Sequence, residues 1–324
     1  MAHAIILRNH GNSDALVHED INVEDPKADE LRIRQTGIGV NFHDIYVRSG
    51  LYKTLELPGI PGCEAVGVIE AIGENAKNLC VGDRVAYVTG SYGAYASHRI
   101  LPAALAIKVP KELPDDLVAS NLLRSMTVDM LLSRVAQVKS GDTILVQAAA
   151  GGVGRLLCQW ASYLGATVIG TVGSNEKAER AKAAGCDYPI LYRDVDFVEA
   201  VFDITNGEGV DIAYDSVGRD TFYGSLECLK FTGHLINFGQ SSGSVTPLEM
   251  QQLATKSLSV SRPILFHYMD QNHVYRAMVS SAFKAFSEGV LQMEPVKRIP
   301  LELASQSHDI LESRSGGGSL MFVP

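Results

Sequence analysis

The sequence predicts an α/β chain in which a β-rich part is followed by a doubly wound parallel sheet. Three observations carry this. Gly62, Gly67, Gly73, Gly82 and Gly93 punctuate short apolar runs in the first third of the chain. Between residues 143 and 238, short apolar runs alternate with stretches of helical periodicity. One strand-to-helix junction in that stretch, residues 148–154, consists almost wholly of Gly and Ala.

Residues 1–8 read as a first strand. They lack the basic start, long apolar middle and cleavage site of a signal peptide. Leu31-Arg32-Ile33-Arg34 alternates as a half-buried strand does, and 66–72 and 84–88 read as strands between glycine turns. After Leu113-Pro114 the texture changes, and 115–138 carries apolar residues at three- and four-residue spacing. Strands are then expected at 143–146, 167–172, 188–191, 210–215 and 233–238. Helices are expected at 154–164, 175–184, 196–205 and 221–228. Such alternation implies parallel strands joined by right-handed crossovers. A helix at 274–287 and the stretch 294–300 follow. Ser315-Gly316-Gly317-Gly318-Ser319 then forms a short turn before a terminal strand at 320–323. The expected division is 1–124, 125–263, and a segment 264–324 that returns to the first domain.

The 324 residues are 46% hydrophobic and 20% charged, with a net charge of −9. That is ample for two cores and gives no bulk electrostatic footprint for nucleic acid. No run of about 18 apolar residues suggests a membrane span, so a cytoplasmic location is expected. The cysteines, at 63, 80, 158, 186 and 228, are scattered and odd in number, which argues against a disulfide scaffold.

The junction reads Gln147-Ala148-Ala149-Ala150-Gly151-Gly152-Val153-Gly154. It is a dinucleotide fingerprint, A-x-G-x-x-G, with Ala149 in place of the first glycine. Gly151 admits the pyrophosphate, and Gly154 lets helix and strand pack closely. The backbone N–H groups of Ala150, Gly151, Gly152 and Val153, with the helix dipole, favour an anion. An NAD enzyme would carry an acid at the tip of the next strand. Here the tip is Gly173-Ser174, and Lys177 lies one helical step beyond. An acid would repel a 2′-phosphate, whereas Ser174 and Lys177 attract one. NADPH is therefore the expected cofactor, with Tyr192 and Arg193 following the third strand into the same pocket. The alternative for Lys177 is a solvated helix lysine. Ser216, Val217 and Phe238-Gly239-Gln240-Ser241 lie at strand C-terminal ends, where ligands of parallel sheets bind.

These residues resemble the zeta-crystallin-type quinone oxidoreductases, in the zinc-independent branch of the medium-chain dehydrogenase/reductase superfamily. The resemblance also rests on Val40-Asn41-Phe42-His43-Asp44-Ile45-Tyr46, Arg48-Ser49-Gly50-Leu51-Tyr52, Pro61-Gly62-Cys63-Glu64, Val81-Gly82-Asp83-Arg84-Val85, Asp215-Ser216-Val217-Gly218 and Arg262-Pro263. It implies a GroES-like catalytic domain plus a Rossmann domain with the active cleft between them, and a homodimer through the sheet edges. It places Asn41 and Thr127 near the nicotinamide, Tyr46 and Tyr52 in the substrate site, and Arg314 near the adenine phosphate. Zinc relatives carry a cysteine where this chain has Asn41 and a histidine where it has Cys63, so no metal is expected.

The implied activity is metal-free reduction of a small quinone by hydride or single-electron transfer from NADPH. Reduction of an enone or alkenal C=C bond is the alternative within enzymes. A non-catalytic NADPH-binding structural or RNA-binding protein is the alternative outside them, and the acidic charge opposes the RNA part. Three residues depart from the family pattern. Arg124 and Arg155 stand where uncharged residues are usual, and either adds phosphate affinity or faces solvent. His43 reads as a proton donor or as a structural histidine.

Overall fold

The alternation from residue 143 onward builds a six-stranded sheet in which every neighbouring pair runs parallel. The computed structural model describes residues 1–313 and 318–324. It falls into two units: Arg124–Tyr268 with Glu288–Gln292, and Met1–Leu123 with Met269–Ser287 and Met293–Pro324. Arg314 lies outside the described residues.

In the first of these units the strands stand in the spatial order Tyr188–Leu191, Thr167–Val172, Thr143–Val146, Val210–Asp215, Leu229–Asn237, Ser259–Ser261. The chain enters mid-sheet, builds outward on one side, then returns to build the other. The two halves part between Thr143–Val146 and Val210–Asp215, which creates the switch point where doubly wound sheets bind ligands. The central strands are apolar on both faces because helices cover both, and Leu145, Ile169, Ala213 and Leu235 are fully buried. Helices follow the strands at Gly152–Tyr163, Asn175–Ala183, Phe197–Ile204 and Phe222–Glu227. Ser174 and Asp196 start two of them by accepting first-turn N–H groups. The first helix begins at Gly152, two residues ahead of the expected start, with Gly151 as an N-cap that supplies no side chain.

In the other unit, Glu30–Gly39 is the central strand. It pairs antiparallel with Glu64–Ile72, His98–Pro102 and the terminal strand Ser319–Val323. Ser319–Val323 also pairs with Val296–Pro300, and Ala2–Leu7 with Leu16–Ile21 form a separate hairpin. Leu31, Ile33, Ile38, Val85, Leu101 and Phe322 fill the core. Leu16–Ile21 and His98–Pro102 are strands without a clear signal in the sequence. Both carry polar residues on their half-exposed faces, which weakens the apolar signal.

Candidate active site

In the parallel-sheet unit the strand Thr143–Val146 runs into a tight turn. Ala148 adopts φ +55°, and Gly151 N–H donates to the Ala148 carbonyl at 2.8 Å. Thr171 on the neighbouring strand steadies the turn: its hydroxyl accepts from Ala148 N–H at 3.2 Å and donates to the Gln147 amide oxygen at 2.5 Å. Gly151 and Gly152 are exposed, whereas Ala149, Ala150 and Gly154 are buried and Val153 is half-buried. First-turn N–H groups have no acceptor within their own helix, so this junction offers an anion a row of donors.

The next strand tip gathers four of the expected residues. Ser174 Oγ accepts from Lys177 N–H at 3.3 Å. A methyl group on Gly173 would come within 2.9 Å of the Tyr192 hydroxyl. Glu176, beside them in the sequence, is exposed.

Further along the sheet, Asp215 organises the turn that carries Ser216 and Val217. Its Oδ1 accepts from Val217 N–H (2.7 Å), Gly218 N–H (3.0 Å) and the Thr221 hydroxyl (2.9 Å). Its Oδ2 is buried with no partner among the described residues, and burial raises the carboxyl pKa. Ser241 N–H reaches the Ser216 carbonyl at 3.3 Å, and Phe238 N–H reaches that of Asp215 at 2.8 Å. Gly239 packs so closely that a methyl there would lie 3.0 Å from Ser216 Cα. The two strand ends holding Ser216, Val217, Phe238, Gly239, Gln240 and Ser241 thus form one hydrogen-bonded ledge. Thr127 lies half-buried on the helix Leu122–Asp129.

In the other unit Asn41 caps the helix Phe42–Ser49. Its N–H donates to the Asp44 carboxylate at 2.8 Å, and its side-chain amide donates to Glu64 at 2.7 Å. The second Glu64 oxygen accepts from Leu123 N–H at 2.7 Å. Gly39 makes room for this carboxylate, because a side chain there would overlap it. Around the same helix the rings of Tyr46 and Tyr52 lie 4.8 Å apart, with Phe42 5.2 Å from Tyr46. His43 lies 5.7 Å from the Tyr52 ring and stacks on Tyr92 at 5.9 Å. The Tyr92 hydroxyl bonds His43 Nε2 at 3.2 Å and also the Thr54 hydroxyl. Burial lowers the His43 pKa to about 4, so the imidazole is neutral at pH 7.

Residues 27–111 match the alcohol dehydrogenase GroES-like domain model, and residues 152–283 match the zinc-binding dehydrogenase model. Quinone oxidoreductase 1 of Escherichia coli strain K12 is 39% identical over the whole of both chains. The crystal structure of E. coli quinone oxidoreductase complexed with NADPH superposes with a TM-score of 0.95 at 38% identity, over 99% of this chain and 100% of the other. This chain belongs to the quinone oxidoreductase family. A 2-haloacrylate reductase from Burkholderia sp is 40% identical over 100% of this chain and 99% of the relative.

One of the matching domain models is described as zinc-binding, but the residues of this chain do not suit zinc. At position 41 the chain offers an amide, and its nitrogen already donates to Glu64. Both oxygens of Glu64 accept protein hydrogen bonds. Among the described residues no three His, Cys, Asp or Glu side chains gather as a metal site.

The sequence reading did not pick out a buried chain behind the Asn41 helix. The Tyr95 hydroxyl donates to Asp44 at 2.8 Å and meets His308 Nε2 at 3.1 Å. His308 Nδ1 lies 3.3 Å from Arg48 Nη1, and Arg48 grips both Glu312 oxygens at 2.9 Å. No local pattern announces a contact between residues 260 positions apart. Burial, then the nearby Arg48 charge, lowers the His308 pKa to about 3. The folded state therefore keeps this imidazole neutral, while the unfolded chain protonates it below about pH 6.5. Stability is lost as pH falls from about 6.5 toward 3. His308 alone is expected to contribute about 2 kcal/mol to the loss between pH 7 and pH 5. Urea unfolding at both pH values checks this: His308→Gln is less stable at pH 7, but its loss on acidification is smaller by that amount. An unchanged loss would mean that the imidazole titrates normally in the fold.

Proposed function

We propose that this protein binds NADPH and reduces small quinones without a metal, as a homodimer in the cytoplasm. The observation that carries the cofactor choice is the strand tip at Gly173 and Ser174. It has no acid, and Lys177 and Tyr192 gather around it. When bound, NADPH supplies the reducing hydride, or a single electron. Ala150, Gly151, Gly152 and Val153 hold its pyrophosphate through backbone N–H groups. Gly173, Ser174, Lys177 and Tyr192 hold the 2′-phosphate end. The ledge of Ser216, Val217 and Phe238-Gly239-Gln240-Ser241, together with Thr127, positions the nicotinamide end. Glu64 fixes the Asn41 amide, which orients the nicotinamide. Among the described residues the edge strand Ser259–Ser261 is paired on one side only, which supports edge-to-edge dimer formation.

The cluster of Phe42, His43, Tyr46, Tyr52 and Tyr92 supports a flat, π-rich acceptor, since such rings stack on it. Either the Tyr46 or the Tyr52 phenol donates a hydrogen bond to a quinone oxygen. A hydroquinone anion takes its proton from solvent, so no strong acid is needed.

One observation favours the second reading, reduction of an activated C=C bond. Such a substrate needs a proton on carbon, and the chain Thr54, Tyr92, His43 is built to pass one through hydroxyl and imidazole hydrogen bonds. A panel run side by side separates the readings: 1,4-benzoquinone and a naphthoquinone against an alkenal and 2-chloroacrylate, each with NADPH. The quinones are expected to show the higher kcat/KM. Tyr52→Leu should lower that value by about threefold to tenfold, the worth of one aromatic pair, with NADPH affinity unchanged. Faster turnover of the alkenal or the haloacrylate would replace the quinone reading with the second one.

A further inference from the structure

We infer that Arg124 is a diphosphate-binding residue, so that its guanidinium and the N-terminus of the helix Gly152–Tyr163 form one seat for the NADPH pyrophosphate. This rests on the NADPH reading above. Arg124 is 7% exposed, so its guanidinium is held within the fold in a defined place. A methyl group on Gly152 would come within 3.1 Å of Arg124 Cζ and Nη1 and 3.2 Å of Nε. Three atoms of one planar group therefore face the first residue of the helix.

That residue is a special place for a cation. A helix N-terminus carries about half a positive charge. A guanidinium set against it concentrates positive potential over the exposed backbone of Gly151 and Gly152. A diphosphate complements this potential, and the guanidinium fork matches phosphate oxygens in pairs. Gly152 gains a steric purpose as well, since even a methyl there would shift the guanidinium by a few tenths of an ångström.

Arg155, the other unexpected arginine, is spent differently. Its Nη1 donates to the Gln292 carbonyl at 3.1 Å, beside a reciprocal pair between Gln159 and Gln292. It anchors residues 288–292 to the helix. Lys177 belongs to the next strand tip, at the proposed 2′-phosphate.

Two fragments of the cofactor test the assignment. ADP-ribose carries the diphosphate without a 2′-phosphate, and adenosine 2′-phosphate carries the reverse. Binding of each, and of NADPH, is measured by calorimetry for the full-length wild type, Arg124→Gln, Arg124→Lys and Gly152→Ala. Arg124→Gln is expected to weaken ADP-ribose and NADPH about tenfold to a hundredfold, and adenosine 2′-phosphate by less than about threefold. Arg124→Lys and Gly152→Ala should both fall between. Wild-type affinity for ADP-ribose in Arg124→Gln overturns the proposal. So does an equal loss of both fragments, which would mark Arg124 as a support of the fold. A wild type that binds neither ADP-ribose nor NADPH overturns the cofactor reading itself, a result distinct from the other two.

Discussion

Gly154→Ala is expected to lower the melting temperature by about 6–12 °C and to weaken NADPH binding at least a hundredfold. The added methyl would overlap the Ala148 carbonyl oxygen, and it would lie 3.0 Å from the carbonyl carbon and 3.1 Å from Ala149 Cα. All three are backbone atoms, so no side chain can swing aside. The carbonyl is already committed, since it accepts the Gly151 N–H at 2.8 Å from a residue held at φ +55°. Helix and turn must separate, at an overpacking cost of about 3 kcal/mol. At roughly 2–4 °C per kcal/mol for a unit of this size, that gives the expected shift. Affinity falls further than stability, because the displaced N–H groups form the proposed anion seat. Gly207→Ala is the control. Its φ is +85° but nothing lies within 4 Å of the added methyl, so only backbone strain of about 1–2 kcal/mol is incurred and binding stays intact. Calorimetric melting and NADPH titration of both variants decide it. A Gly154→Ala protein with wild-type melting and affinity would disprove the close-packing argument.

Lys177→Ala should raise the Michaelis constant for NADPH by about tenfold to 150-fold and leave that for NADH within about twofold. A charge-assisted hydrogen bond is worth roughly 1.5–3 kcal/mol, which sets that range. The residue is in the first turn of Asn175–Ala183, with its N–H fixed by Ser174, so its side chain starts from a defined position at the strand tip. The contribution should also shrink as salt rises, because a half-exposed ion pair is screened. Steady-state kinetics with both nicotinamides at two ionic strengths provide the check. Equal effects on the two cofactors would remove Lys177 from the 2′-phosphate site.

Five of the six strands of the parallel-sheet unit were legible because each is announced locally, whereas the short, half-exposed Ser259–Ser261 was not. Ile144, Leu145 and Val146 form an uninterrupted apolar run, and Ser174 and Asp196 are helix starts that a reader can see. The proposed cofactor residues were legible for the same reason. They sit at the ends of consecutive strands, and the alternation of strands and helices already implies that those ends share one edge. The candidate residues of the other unit were readable only through the family resemblance. Tyr92 shows why. It occupies a turn at φ +58° with no periodicity around it, and its tie to His43 spans 49 positions.

The sequence by itself determined the alternation of strands and helices from residue 143 to 238, the Gly and Ala turn, the acid-free strand tip with its lysine, and the acidic net charge. All of these depend on residues within a few positions of one another, where backbone geometry and periodicity act. The tertiary structure alone decided how the three departures are used. It placed Arg124 against Gly152, tied Arg155 to Gln292, and stacked His43 on Tyr92 as a neutral imidazole. It also closed the buried chain from Asp44 through Tyr95 and His308 to Arg48. The physical reason is that charge placement and desolvation depend on neighbours brought in from distant parts of the chain. A residue's type fixes what it can do, and its packing fixes which of those things it does.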